Sequence, residues 1–217
     1  MPVKKRTPLK HKSVSFSDDI TQTQHNHHHR KKQNGERPPV FIRKTWLTIP
    51  WHLIALVYIY VKVFNNYNTA ELLACLVPLQ ILYTIFQFNK ATIYGNKRLK
   101  FNYSLAAISI LACIVLSIPV VIIIILFGAP LLELLWETWL LALHCSFLAY
   151  PAVYSVLNCD FKVGLWKRYF ILIVVGCWIS CVVIPLDWDR DWQAWPIPIV
   201  IGAYLGAFVG FAYGAYL

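Results

Sequence analysis

Motifs of the common enzyme classes are missing from this chain. It has no Gly-rich phosphate loop, no Gly-x-Ser-x-Gly elbow and no His-Glu-x-x-His helix. The aspartate-glycine pattern of integral-membrane CDP-alcohol phosphotransferases is also missing. Phosphoryl transfer needs clustered metal-binding carboxylates or basic clamps, and no such set stands out. The chain therefore reads as a non-enzyme with no cofactor and no metal centre. No CxxC occurs among Cys75, Cys113, Cys145, Cys159, Cys177 and Cys181, and all but Cys159 fall in apolar runs. That excludes a secreted disulfide framework. Cys177 and Cys181 share a helical face and are read as packing residues rather than a redox or metal pair.

What is present is hydrocarbon. Of 217 residues 58% are hydrophobic, and the mean hydropathy is +0.54. Apolar runs of about 17–25 residues are what a bilayer core of roughly 30 Å requires of a helix. Unpaired peptide groups in hydrocarbon exclude open sheets. The expected fold is all-α, a polytopic membrane protein of six transmembrane helices near Ile49–Phe64, Ala70–Phe88, Leu105–Phe127, Leu131–Val156, Tyr169–Ile184 and Ile197–Leu217. Pro78 and Pro119 lie within the second and third spans, where each removes a helical hydrogen bond and predicts a kink.

Residues 1–44 differ from the six-helix domain of residues 45–217. This tail carries eleven Lys/Arg against Asp18, Asp19 and Glu36, too little apolar surface to fold alone, and is expected to be disordered. It lacks the apolar core of a cleavable signal, so it is expected to be retained, with the first span as the insertion signal. Its His25, His27, His28 and His29 read as a solvated run. Its basic clusters suit anionic lipid, and phosphorylation at Ser13, Ser15 and Ser17 would loosen that contact. Lys90, Lys97, Arg98 and Lys100, then Lys162, Lys167 and Arg168, fall on the tail's side in a six-span arrangement; Lys62 and Arg190 fall opposite. The positive-inside rule then makes both termini cytosolic. The other side is acidic, with Glu71, Glu133, Glu137, Asp187, Asp189 and Asp191. No nucleic-acid partner is expected.

Three constellations are candidate sites. Gly202, Gly206, Gly210 and Gly214 recur every fourth residue in the last span, a stripe that lets another helix approach closely. Whether that helix is internal or a partner's is open from the spacing alone. The loop Asp187–Trp195 holds Trp188, Trp192 and Trp195, rings suited to the headgroup level. Its Asp187, Asp189, Arg190 and Asp191 suit either local loop structure or contact with a partner's lumenal domain or a lipid head. Glu133, Glu137 and His144, at i, i+4 and i+11, are placed on one face of the fourth span. Either the glutamates favour a helix N-terminus at the membrane surface or the three form a polar groove for a lipid head or a cationic side chain. Two alternatives to a non-catalytic subunit stand beside this reading. One is a lipid head-group transferase with a metal on Glu133, Glu137 and the loop aspartates. The other is a lipid carrier or flippase using the polar faces of spans two and four.

Asp187, Trp188, Trp192, Gln193, Trp195 and Pro196, running into the Gly202/Gly206 helix, resemble the Pig-F family of glycosylphosphatidylinositol (GPI) anchor biosynthesis. The sharp resemblance covers about residues 185–210 and a looser one covers 46–217. It implies an endoplasmic-reticulum membrane protein. It also implies an accessory role: stabilising large multispan ethanolamine-phosphate transferases, more than one of them, that modify mannoses of the GPI precursor. On that reading the glycine face packs against partner spans, and the loop braces the partner's lumenal domain or positions lipid near it.

Overall fold

A computed structural model describes residues 40–42, 45–90, 92–94, 97–98, 100–130, 132–158 and 167–216. The tail expectation for residues 1–39, with its histidines and serines, lies outside them. The described structure is helical except for a small antiparallel sheet. The elements are β1 (Val40–Ile42), α1 (Trp51–Lys62), α2 (Thr69–Lys90), β2 (Thr92–Tyr94), β3 (Lys97–Arg98), α3 (Tyr103–Leu126), α4 (Leu135–Leu148), α5 (Tyr150–Asn158), α6 (Lys167–Ser180) and α7 (Ile197–Tyr216). Val40, Phe41 and Ile42 pair with Tyr94, Ile93 and Thr92, and β2 pairs in turn with β3. The end of the expected disordered tail is thus an ordered strand, and the all-α expectation lacks this sheet. Strands of two and three residues are too short to leave a periodic signal.

The helix ends are chemically marked. Asn68 Oδ1 accepts from the Ala70 and Glu71 amides at the start of α2, and the Asn68 amide donates to Glu71 Oε1 at 2.8 Å. Asn102 caps α3 by accepting from the Ser104 and Leu105 amides. At the other end of α3, Gly128 (φ 101) donates to Ile125 O and Ala129 to Ile124 O. That is a Schellman termination, which needs a left-handed residue at the glycine.

By length and composition α2 and α3 are long and apolar enough to cross a membrane, and α4 with α5 would make a third span bent by 49°. Trp51–Lys62, Tyr169–Val183 and Ile197–Ala212 are shorter apolar helices. Pro78 and Pro119 sit inside α2 and α3 without ending either helix. The break falls instead at Ala149, inside the predicted fourth span. Pro151 is its physical reason: the ring cannot donate to the carbonyl four residues back and disfavours helical backbone at the residue before it.

The helix α3 shows which way the bundle faces. Its buried stripe is small or polar: Ala106, Ser109, Cys113, Ser117 and Val121. Its exposed face is Ile108, Leu111, Ile114, Val115, Ile118 and Ile122. Large apolar side chains outside and small ones inside reverse the order of a water-soluble helix and suit a helix bathed in hydrocarbon. The main core gathers Leu53, Leu56, Tyr60, Leu72, Leu76, Leu141, Ile173, Ala203, Tyr204 and Ala207. A second cluster joins Phe88, Phe101, Ala106 and Tyr154, where Phe101 stacks on Tyr154 with centroids 4.9 Å apart.

Candidate functional site

The helices α6 and α7 form an antiparallel hairpin with the most extensive helix-helix contact of the described residues. Glycine is the cause. A Cβ on Gly202 would collide with Gly176 O and the Ser180 side chain, and one on Gly206 would collide with Leu172 O. A Cβ on Gly176 would in turn overlap Gly202 O. At Gly210 the fit is looser, 3.1 Å to Leu172 Cβ and 3.4 Å to Tyr169 Cα. The stripe Gly202, Gly206 and Gly210 is therefore occupied by α6 of the same chain, not left bare for a partner's helix. Gly214 lies beyond the residues whose surroundings are described. The missing half of the seam is Gly176 with Ser180 four residues on, itself a small-residue pair that could have been read from the sequence.

The seam delivers the chain into the Trp loop. After α6 a 3-10 turn over Cys181–Val183 leads out, and a second over Asp191–Gln193 leads back to α7. Gln193 is 8% exposed and holds the loop closed. Its amide nitrogen donates to Val183 O and Leu186 O, each at 2.8 Å, and its Oε1 accepts from Arg190 N at 3.0 Å. Both amide hydrogens and the side-chain oxygen of this buried residue are thereby satisfied, as buried polar groups require. Asp189 takes a left-handed backbone (φ 47), a turn conformation its short polar side chain tolerates. The Trp195–Pro196 peptide is cis.

One tryptophan fastens this loop to a different helix. Trp195 Nε1 donates to Thr138 Oγ1 at 3.2 Å, and Thr138 Oγ1 donates to Leu134 O at 2.9 Å. Pro196 is buried at the start of α7. Sequence reasoning did not single out Thr138; a lone threonine one turn into an apolar helix carries no signal for a contact 57 residues away.

What the pinned loop presents outward is both aromatic and acidic. Trp188 is 55% exposed and packs its ring 5.9 Å from that of Trp192. Asp187, Asp189, Arg190 and Asp191 are all exposed. Through the Trp195–Thr138 bond the same end of the bundle carries the first turns of α4, where Leu135 and Trp136 are exposed. Glu133 is exposed and Glu137 half-buried beside them.

The expected groove of Glu133, Glu137 and His144 does not form. The helix α4 starts at Leu135, so Glu133 precedes it and shares no helical face with the other two. His144 is 0% exposed and points into the bundle. Its Nδ1 lies 3.0 Å from Tyr204 Oη and its Nε2 3.0 Å from the Thr69 carbonyl. Both ring nitrogens are therefore engaged, and the imidazole ties α4 to α7 and to the start of α2. Tyr60 extends the network, its hydroxyl 3.1 Å from Thr69 Oγ1. Among the described residues no three His, Cys, Asp or Glu side chains come together as metal ligands. The aspartates of the loop and Glu133 are exposed.

Residues 48–215 match the GPI biosynthesis protein family Pig-F. Over 219 residues, 100% of both chains, the sequence is 63% identical to the glycosylphosphatidylinositol anchor biosynthesis protein 11 of Saccharomyces cerevisiae. The identity to the protein of the same name from Kluyveromyces lactis is 56%, over 99% of each chain. To that from Eremothecium gossypii it is 55%, over 98% of each. No solved structure matches.

Proposed function

This chain belongs to the GPI biosynthesis protein family Pig-F, and from that premise we propose that it is the non-catalytic subunit of GPI ethanolamine-phosphate transferases. It resides in the endoplasmic-reticulum membrane with six spans and both termini cytosolic. The short helices α1, α6 and α7 complete the count begun by α2, α3 and the bent pair α4–α5. The Trp loop lies on the lumenal side, opposite the basic loops, and is the contact for the large transferase subunit. There it braces the lumenal domain that carries the chemistry.

The observation that carries this reading is the pinned loop. Gln193 and Trp195 each secure it from behind, so the exposed Trp188 and its flanking aspartates are held rigid in front. A preorganised aromatic surrounded by charge is what a binding hot spot uses. The glycine stripe, by contrast, is used up inside the hairpin, which moves the expected partner contact from the helix face to the loop. Purification of the native protein in a mild detergent tests the reading. A large multispan phosphotransferase should accompany the wild type in stoichiometric amount and be depleted in Trp188→Ala. A stable protein running alone refutes it.

A further inference from the structure

The helix α1 starts deeper in the bundle than its neighbours end. Its level is fixed by three contacts. His52, in the first turn of α1, places Nε2 3.2 Å from Gln80 Oε1, and its ring lies 4.9 Å from that of Tyr83. The Tyr83 hydroxyl donates to Thr48 O, just ahead of the helix. The Trp51 ring lies 5.7 Å from that of Phe208 on α7. At its other end Tyr60 Oη meets Thr69 Oγ1, so α1 finishes level with the start of α2. On the starting side both flanking helices run on. The helix α2 continues seven residues from Tyr83 to Lys90, and α7 eight residues from Phe208 to Tyr216. At 1.5 Å per residue these extensions are about 10 and 12 Å. The start of α1 is recessed by that amount, and one leaflet's share of the hydrocarbon is only roughly 15 Å.

The chain in the recess is neither α-helical nor covered. Thr45 is exposed, Trp46 is 77% exposed and Trp51 51%. Trp46 and Trp51 stack with their planes 5° apart, and Trp51 Nε1 donates to Trp46 O. The backbone passes Trp46–Thr48 as a 3-10 turn and enters α1 through Pro50. Irregular backbone does not face lipid within hydrocarbon, where its peptide groups find no partners. Indole rings carrying a polar N–H settle at the headgroup level. A hydrophobic stretch too short for the bilayer is met by thinning. We propose that phospholipid headgroups descend into this recess and rest on the Trp46–Trp51 pair, so that the chain thins the leaflet beside α1 by about 10 Å. The exposed face of α3 stays apolar from Ile108 to Leu126 and keeps the bilayer at full thickness. One bundle thereby holds the membrane at two thicknesses. In the proposed topology the thinned leaflet is the cytosolic one. The inference rests on the bundle being membrane-embedded and is independent of the transferase partnership.

The test reconstitutes the full chain, with no partner, in phosphatidylcholine vesicles. One set contains phosphatidylcholine with a diazirine beside the glycerol ester, and a parallel set carries the diazirine at the end of the acyl chain. Crosslinks are mapped by peptide mass spectrometry. Leu111, Ile114 and Val115, exposed at the middle of α3, are the internal standard. The chain-end probe should label them and the ester-proximal probe should not. Residues 45–51 should show the reverse, labelled by the ester-proximal probe and spared by the chain-end one. Labelling of residues 45–51 by the chain-end probe, as at the middle of α3, would mean that hydrocarbon fills the recess at ordinary thickness, which overturns the proposal. Labelling by neither probe, with α3 labelled as expected, would mean that protein covers the recess and overturns it equally. Loss of chain-end labelling from α3 itself would refute membrane embedding, and this proposal with it, while leaving the partnership to its own co-purification test.

Discussion

Gly206→Ala decides between an internal and an external role for the glycine stripe, because the two predict opposite signs. The added methyl meets the Leu172 carbonyl, which is backbone and cannot rotate away. The hairpin must spread locally, and overpacking of this kind costs about 1–3 kcal/mol; a rigid backbone obstacle puts the value near the top of that range. For a bundle of this size that lowers an apparent melting temperature by about 5–10 °C. Gly210→Ala is the graded comparison, since its nearest neighbour is the Leu172 side chain at 3.1 Å, which can shift. Its effect should be under about half as large. The assay is fluorescence-detected size exclusion after heating the isolated protein in detergent, with no partner present. Were the stripe bare and reserved for another subunit, alanine would raise helix propensity and stabilise the isolated chain by about 0.5–1 kcal/mol. An unchanged or raised melting temperature for Gly206→Ala would therefore refute the seam as described.

Gln193→Leu removes the side-chain bonds that tie the loop together and leaves the Arg190 amide without its partner, while the Val183 and Leu186 carbonyls keep the Leu186 and Trp188 amides; the cost is about 1–3 kcal/mol. Hydrogen exchange at residues 186–194 should rise sharply while α2 and α3 stay protected. Trp195→Phe and Thr138→Val should each destabilise slightly and couple by about 1 kcal/mol in a double-mutant cycle, as a single hydrogen bond would. His144→Phe keeps the ring volume but strands Tyr204 Oη and the Thr69 carbonyl, and thermal unfolding should come earlier by an amount that Tyr204→Phe does not add to fully. Trp188→Ala should leave the stability of the isolated protein within about 0.5 kcal/mol of wild type, as surface changes do, yet deplete the large partner from purified material.

Among the described residues each expected span overlaps a helix, because apolar runs are visible whatever the tertiary arrangement, but only α2, α3 and the bent pair α4–α5 are long and apolar enough to cross a membrane. Composition alone could not separate α4 from α5, since the run from Leu131 to Val156 stays apolar through the bend and only Pro151 betrays it. The register of Gly202, Gly206 and Gly210 was legible, but a stripe states only that something approaches closely. Identifying α6 required Gly176 to be brought opposite by the intervening loop. His144 shows the opposite failure. An ionisable residue in an apolar span was read as facing a groove with Glu133 and Glu137, because the helix was started too early. Beginning α4 at Leu135 removes Glu133 from the face, and the imidazole finds its partners at Thr69 and Tyr204, far away in sequence. Within the loop, Gln193 was singled out only through the family resemblance; its role as the loop's internal brace depends on carbonyls ten and seven residues away.

A hairpin closed backbone against backbone has no layer of soft side chains in which relative sliding could be absorbed. Displacing the Trp loop must therefore carry α6 and α7 together as one stiff lever. Its far end is Phe170, which with Ala112, Leu116, Val153, Val156 and Leu157 lines an apolar crevice. A push delivered to Trp188 would thus be felt at the far end of α6 as a change in the width of that crevice.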